Sequence, residues 1–285
     1  MADLTEIQSR FILANIGEPG DSRINKLAMK HDWAELVLNP KLLPEFYQIA
    51  LSRISIAKTL DDFNTHNFIT PQSVHWPRGL EDLGTLTPIG LWFLGNLEKL
   101  NPLSIAIVGA RGASTYGAGV ASEIAMELAA LRINIVSGGA FGIDAAAHQG
   151  ALQGNGFTIA VMAGGTNQLY PKTNSSLFTR IIDSGLILSE VPPSSPPLRH
   201  RFLIRNRLIA AISQATLVVE ARIKSGAMST ANEATNLGRD VMAVPGSIRS
   251  ATSSGCHKLI RDGAVLVSSA SEICELLIGD YPQYS

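Results

Sequence analysis

Five segments in the middle of the chain carry the residue types that hold phosphate: GARGASTYG (Gly109–Gly117), SGGAFGID (Ser137–Asp144), AGGTNQLYPKTN (Ala163–Asn174), RNRLIAA (Arg205–Ala211) and KSGAMSTANEA (Lys224–Ala234). Each reads as a turn that follows an apolar run and precedes a helix. Glycines let a backbone approach a ligand closely, and helix N-termini offer unpaired N–H groups to an anion. In the first segment Gly109, Ser114, Tyr116 and Gly117 surround Arg111, whose guanidinium can grip a phosphate through two hydrogen bonds. A solvated turn arginine is the plainer alternative. The second segment sets Ser137, Gly138 and Gly139 before Phe141 and Gly142, so its amides head a helix that Asp144 can cap. His148 follows Asp144 at i+4, where the two side chains can meet. Such a pair fits general acid–base chemistry and fits a structural hydrogen bond equally well.

The remaining segments add cations and hydroxyls. Lys172 and Asn174 follow Tyr170, an aromatic ring able to stack on a base or to pack its own turn. Arg205, Asn206 and Arg207 crowd an expected helix start, where the macrodipole disfavours positive charge. Either a bound anion or a buried carboxylate, Glu190 or Glu220, would compensate them. Ser225 and Gly226, with Ser229 and Thr230 beyond, can cap a helix or bind phosphate oxygens.

The elements that must position these residues follow from periodicity. Apolar runs at Ser104–Val108, Ile133–Ser137, Phe157–Ala163, Leu186–Ser189, Ala215–Glu220, Asp240–Val244 and Ala264–Val267 read as buried strands. The helices between them are expected at Gly117–Leu131, Ile143–Leu152, Asn174–Ser184, Arg205–Ser213, Ala227–Leu237, Cys256–Asp262 and Ala270–Ile278. This alternation predicts an α/β fold: a doubly wound, mostly parallel sheet of extended Rossmann-like type, with ligands bound beyond the strands' carboxyl ends. Gly154, Gly156, Gly185, Gly238 and Gly263 are expected as left-handed helix C-caps. Residues 1–67 read as a small helical N-terminal module, residues 68–103 as a Pro/Gly-rich lead-in packing on the main domain, and residues 104–285 as the Rossmann-like domain.

Composition narrows the function. The 285 residues have a net charge of −1, 46% hydrophobic and 16% charged side chains, so no uniformly basic surface exists. Charge is nonetheless segregated, with Arg199, Arg201, Arg205 and Arg207 in a stretch free of acids. No apolar run is long enough to span a membrane, and the start shows no signal-peptide pattern. Two cysteines, Cys256 and Cys274, cannot build a disulfide framework or a four-ligand zinc site, which fits a cytoplasmic setting without metal. The first turn lacks G-x-G-x-x-G spacing and no acid closes the second strand, so no nicotinamide or flavin cofactor is expected.

Taken in order, the motifs resemble the DNA-processing protein A family, also called Smf. The chain reads VGARGASTYG, SGGAFGIDAAAHQGAL, GFTIAVMAGGTNQLYPKTN, Ser189-Glu190, RNRLIAAIS, VVEARIKSGAMSTANEA, GRDVMAVPG and GCHKLIRDGA, and the likeness runs from about Trp76 to Leu277. The resemblance implies a non-catalytic single-stranded DNA-binding protein that protects incoming strands in natural transformation and loads a RecA-type recombinase. It implies a homodimer formed through the later part of the Rossmann-like domain. DNA contacts fall by motif on Arg111, Lys172 and the glycine turns, with Arg205, Asn206 and Arg207 beside them. Ala110 stands where the family usually has serine. No winged-helix domain is expected after Ile278, and the N-terminal part lacks helix-hairpin-helix glycines.

Two other readings are kept. A nucleotide or nucleoside-monophosphate hydrolase would use a related Rossmann variant, but its PGGxGTxxE loop is absent, since Ser247-Ile248-Arg249 follow Pro245-Gly246. A scaffold that binds only the recombinase would need no DNA crevice.

Overall fold

A computed structural model describes residues 4–101 and 103–278. The outermost residues of the expected terminal divisions, 1–3 and 279–285, lie outside the described residues.

The five N-terminal helices α1 (Glu6–Ile16), α2 (Ser22–Ala28), α3 (Trp33–Leu38), α4 (Glu45–Ser52) and α5 (Ile56–Phe63) enclose their own core around Ile12, Leu13, Leu36 and Tyr47. A capping box of Thr5 and Gln8 starts α1. Strands β1 (Phe68–Ile69) and β2 (Leu91–Gly95) come next. The alternating part then runs β3 (Ser104–Val108), α6 (Thr115–Ala130), β4 (Asn134–Ser137), α7 (Ile143–Gln153), β5 (Thr158–Met162), α8 (Ser175–Ser184) and β6 (Leu186–Ser189). It continues with α9 (Arg199–Ile212), β7 (Ala215–Val218), α10 (Gly226–Asn236), β8 (Asp240–Ala243), α11 (Ser254–Arg261), β9 (Val265–Leu266) and α12 (Ala270–Ile278).

Among the described residues, nine strands form one sheet in the order β1-β2-β6-β5-β4-β3-β7-β8-β9. β1 and β2 pair antiparallel at one edge, and every pair from β6 to β9 is parallel. The lead-in therefore contributes strands to the sheet itself. Strand order advances from β3 to β6 in one direction and from β7 to β9 in the other, so the topology switches between β3 and β7.

Both faces are covered. In β3, Ile105 and Ile107 enter the layer under α6, α7 and α12, whereas Ala106 and Val108 enter the opposite layer under α9, α10 and α11. A continuous apolar strand is the consequence of burial on both sides. Each fully buried isoleucine or valine contributes about 1.5–3 kcal/mol. The helical module docks on the antiparallel edge through Phe11, whose ring centroid lies 5.1 Å from Phe68 and 5.8 Å from Trp92.

Two expectations about backbone are corrected. α9 begins at Arg199, directly after Pro196-Pro197-Leu198, and not at Arg205. Its N-terminal half mixes arginines with apolar residues, so no apolar stripe marks its start. The macrodipole argument consequently bears on Arg199 and Arg201, while Arg205 and Arg207 sit mid-helix. Gly238 and Gly263 do have positive φ, of 68° and 109°, but Gly154, Gly156 and Gly185 do not, with φ of −75° at Gly154 and −148° at Gly185. Asn155 takes the left-handed position after α7, at φ 52°. Gly154 and Gly185 are instead places where a Cβ would collide with a neighbouring carbonyl, of Met126 and Thr158 respectively.

Candidate nucleic-acid interface

At the switch point the carboxyl ends of β3, β4 and β7 diverge and leave a crevice of about 740 Å³. Gly109 to Arg111 leave β3 along one wall, and Ala140 and Asp144 come from the turn after β4. These two turns abut, since the Ile143 N–H donates to Ala110 O at 3.2 Å. Gly142, at φ 73°, is held against Ala110 and Arg111 where any Cβ would collide with their carbonyls. α9 and the start of α10 form the opposite wall.

The interior beneath the crevice is closed. Arg205 is 6% exposed, and its Nη1 donates to Gly138 O at 2.9 Å and to Val161 O. Burial lowers its pKa to about 10, against the opposing pull of the Asp144 carboxylate. Asp144 Oδ2 accepts from the Gly138 N–H at 3.2 Å and the Ala140 N–H at 3.3 Å. Burial raises the Asp144 pKa, while Arg205 and these amides work to lower it. Ser137 Oγ donates to Ile107 O at 2.7 Å. Ser137, Gly138 and Gly139 are thus buried, and their polar groups serve the fold.

Asp144 and His148 do not meet. The two backbone amides take the carboxylate, whereas His148 Nδ1 lies 2.7 Å from Thr158 Oγ1. Because Thr158 Oγ1 donates its own hydrogen to Ile135 O, it must accept from the imidazole, which fixes the Nδ1–H tautomer. Burial, followed by the Arg205 charge, lowers the His148 pKa to about 3. A sealed neutral imidazole and an amide-bound carboxylate supply no general-base pair.

The exposed part of the crevice is cationic and aromatic. Arg111 projects over Phe202 at 5.2 Å from the ring centroid, and Tyr170 meets the same ring edge-on at 5.9 Å. No ion pair engages Arg111 or Arg199 among the described residues. Asn206 Nδ2 donates to Gly226 O at 3.2 Å, tying α9 to the first turn of α10. Ser225 caps that helix, its Oγ accepting from the Met228 N–H. Asn174 Nδ2 donates to Gly139 O at 3.1 Å and holds the turn that carries exposed Lys172 against the second segment.

Four predicted residues, Arg207, Glu220, Ser114 and Tyr116, point elsewhere. Arg207 forms a buried ion pair with Glu190 at 2.6 Å, facing the helical module. Glu220 serves α6 instead: Ser114 N–H and Oγ donate to its carboxylate at 2.9 and 2.6 Å, while Ser114 Oγ accepts from the Gly117 N–H at 3.0 Å. Tyr116 borders a second pocket, where its hydroxyl donates to Pro245 O. Phe141 is exposed at the tip of its turn, and Gly117 is buried under Glu220.

Phe202 escaped sequence reasoning, and Arg199 was named only within the acid-free basic stretch, although both line the crevice. With α9 started at Arg199, the lining positions 199, 202, 203, 206 and 209 fall on one helical face. That spacing was the available signal.

These features define a class: a doubly wound α/β protein whose switch-point crevice is lined by arginines unpaired among the described residues and by aromatic rings. The chain belongs to the DNA recombination-mediator protein A family, whose model matches residues 67–278. It is 48% identical over 205 residues to a putative DNA processing protein DprA of Mycobacterium tuberculosis, covering 69% of this chain and 53% of the relative. It is 43% identical over 186 residues to DNA processing protein DprA of Streptococcus pneumoniae, covering 65% of this chain and 66% of that protein. The chain thus spans about half the length of the Mycobacterium relative. The solved structure of the Streptococcus pneumoniae protein superposes with a TM-score of 0.85 at 30% identity, over 99% of this chain and 100% of that one. DNA processing protein A from Helicobacter pylori, described for its single-stranded DNA binding mode, gives a TM-score of 0.68 at 31% identity, over 76% of this chain and 98% of that one.

Proposed function

We propose that this chain binds single-stranded DNA in the switch-point crevice, protects incoming strands, and loads a RecA-type recombinase during natural transformation. It acts in the cytoplasm without catalysing a reaction. The observation that carries the reading is Arg111: a guanidinium with no carboxylate partner among the described residues, laid over Phe202 beside Tyr170. Cation and rings together suit a phosphate with its neighbouring base. The Helicobacter pylori relative supports the choice of single-stranded DNA as ligand. A binding role is supported by the inward commitments of Asp144 and His148, which remove the one acid–base pair the motifs offered.

Arg111, Lys172, Tyr170, Asn206 and the Ser225–Gly226 turn are the residues assigned to the strand in this reading. Arg205 acts through Gly138 and Val161 as a positioning residue. In this reading the homodimer forms through the later part of the Rossmann-like domain, and exposed Val265 and Leu266 of β9 support that choice. Fluorescence anisotropy with oligothymidine tests the core of the proposal. Binding should weaken steeply with salt, as counterions are released from the phosphates. A folded protein with no affinity at low salt would leave only the recombinase scaffold.

A further inference from the structure

On the far side of the Gly109–Gly117 turn from the crevice, at the carboxyl ends of β7 and β8, a second pocket of about 510 Å³ opens. Its walls combine groups that the strand-binding crevice does not use. Tyr116 stands there with 55% of its surface exposed, and its ring is fixed because the hydroxyl donates to Pro245 O at 3.2 Å. Ser247, Ser250 and Ser253 supply hydroxyls around it. Ile248, on the same loop, is 90% exposed.

The floor decides what the pocket accepts. Glu220 is 4% exposed there, and its carboxylate already accepts from Ser114 N–H, Ser114 Oγ and Thr252 Oγ1. A carboxylate at that position repels a phosphate. It tolerates a neutral planar group, and its remaining lone pairs suit the N–H edge of a base. Crevice and pocket therefore divide the labour: the Arg111 side takes phosphate, and the Tyr116 side takes an uncharged ring.

We infer that this pocket is a nucleobase subsite in which a base of the same bound strand stacks on Tyr116. The inference rests on the proposed single-stranded DNA binding and extends it by one contact. Arg111 and Tyr116 are five residues apart, so their Cα atoms are separated by at most about 17 Å. That span corresponds to about five stacked nucleotides or fewer. One strand can reach both sites by passing over the turn.

The test compares Tyr116→Ala, Tyr116→Phe and Arg111→Ala with the parent, by anisotropy on oligothymidines of increasing length and on a strand with single abasic positions. Tyr116→Ala should weaken binding about tenfold, as expected for one lost base stack, and only on strands long enough to pass the turn. Tyr116→Phe keeps the ring and should recover most of that loss. The salt slope should stay at the parent value in both Tyr116 variants, because stacking releases no counterions, whereas Arg111→Ala should lower it by about 1. An abasic nucleotide at the responsive position should cost the parent as much as the alanine variant loses. Unfolding midpoints check that the exposed position leaves the fold intact. Equal affinity of Tyr116→Ala and parent at every length overturns the subsite while leaving the crevice reading in place. Failure of the parent to bind any strand overturns both.

Discussion

At the interface with the helical module, Arg201 and Arg207 are each matched by a carboxylate, Glu18 at 2.8 Å and Glu190 at 2.6 Å. Glu190 also accepts the Gly20 N–H, and a Cβ on Gly20 would come within 2.9 Å of Ile204. At the crevice, Arg111 and Arg199 stand exposed with no such partner among the described residues. Helix α9 belongs to both regions, because its arginines leave it in different directions. The difference teaches how a chain of near-neutral charge can keep arginines uncancelled at one place. At the module interface the arginine charge is cancelled by carboxylates, and at the switch point it is left uncancelled.

The strongest way to break this comparison is to remove a carboxylate from the module side. Glu190→Ala strands the Arg207 guanidinium, which already has buried Nε and Nη1 atoms without hydrogen-bond partners. A stability loss of about 3–5 kcal/mol is expected by chemical denaturation. DNA affinity per folded molecule should stay near that of the parent. A large loss of affinity with little loss of stability would merge the two regions into one.

Arg111→Ala should do the reverse. Removing a charge-assisted phosphate contact is expected to weaken oligothymidine binding by about 1.5–3 kcal/mol with little change in the unfolding midpoint. The effect should be similar across strand sequences, since phosphate carries no base information. Unchanged binding would show that an unpaired arginine at this place is only solvated.

The interior below the crevice offers a pH test. His148 is held neutral by burial, with a folded pKa of about 3 against 6.5 for a free imidazole. Folding is favoured by this group in full above pH 6.5, and the contribution is lost as pH falls from 6.5 toward 3. The slope is about 1.4 kcal/mol per pH unit. Between pH 6.5 and 5 the parent should therefore lose about 2 kcal/mol more stability than His148→Gln, read from denaturation midpoints. Burial raises the pKa of Asp144 and Glu190 and works oppositely in both proteins, so the difference isolates the imidazole. Parallel curves would mean that His148 protonates without unfolding the site.

Lys172→Ala should produce the smallest change. A flexible exposed ammonium on the Asn174-anchored turn is worth about 1 kcal/mol or less, seen as a few-fold uniform loss of affinity. A loss as large as that of Arg111→Ala would mark Lys172 as a desolvated contact and not a peripheral one.

The central sheet was legible because burial on both faces makes strands such as Ser104–Val108 and Leu186–Ser189 mostly apolar runs, both found at their expected bounds. Residue types at the crevice were legible too: Arg111, Asn206, Ser225 and Gly226 were named, and all line it. The direction of each side chain was not. Spacing allowed Asp144 to meet His148, yet Gly138 and Ala140 took the one and Thr158 the other. Arg205 and Arg207 look alike in RNR, but one reaches into β-strand carbonyls and the other into Glu190. Phe202 went unnoticed because the proline-flanked start of α9 was placed six residues too late.

The sequence by itself determined the alternation of strands and helices, the doubly wound sheet and the family, since these depend on local periodicity and ordered motifs. Tertiary structure decided which cations are free. A charge is neutralised only by groups packed against it, and those partners come from 17 residues away for Arg207 and 183 for Arg201. Their proximity is created by the sheet order and by the docking of the helical module, which no local pattern contains.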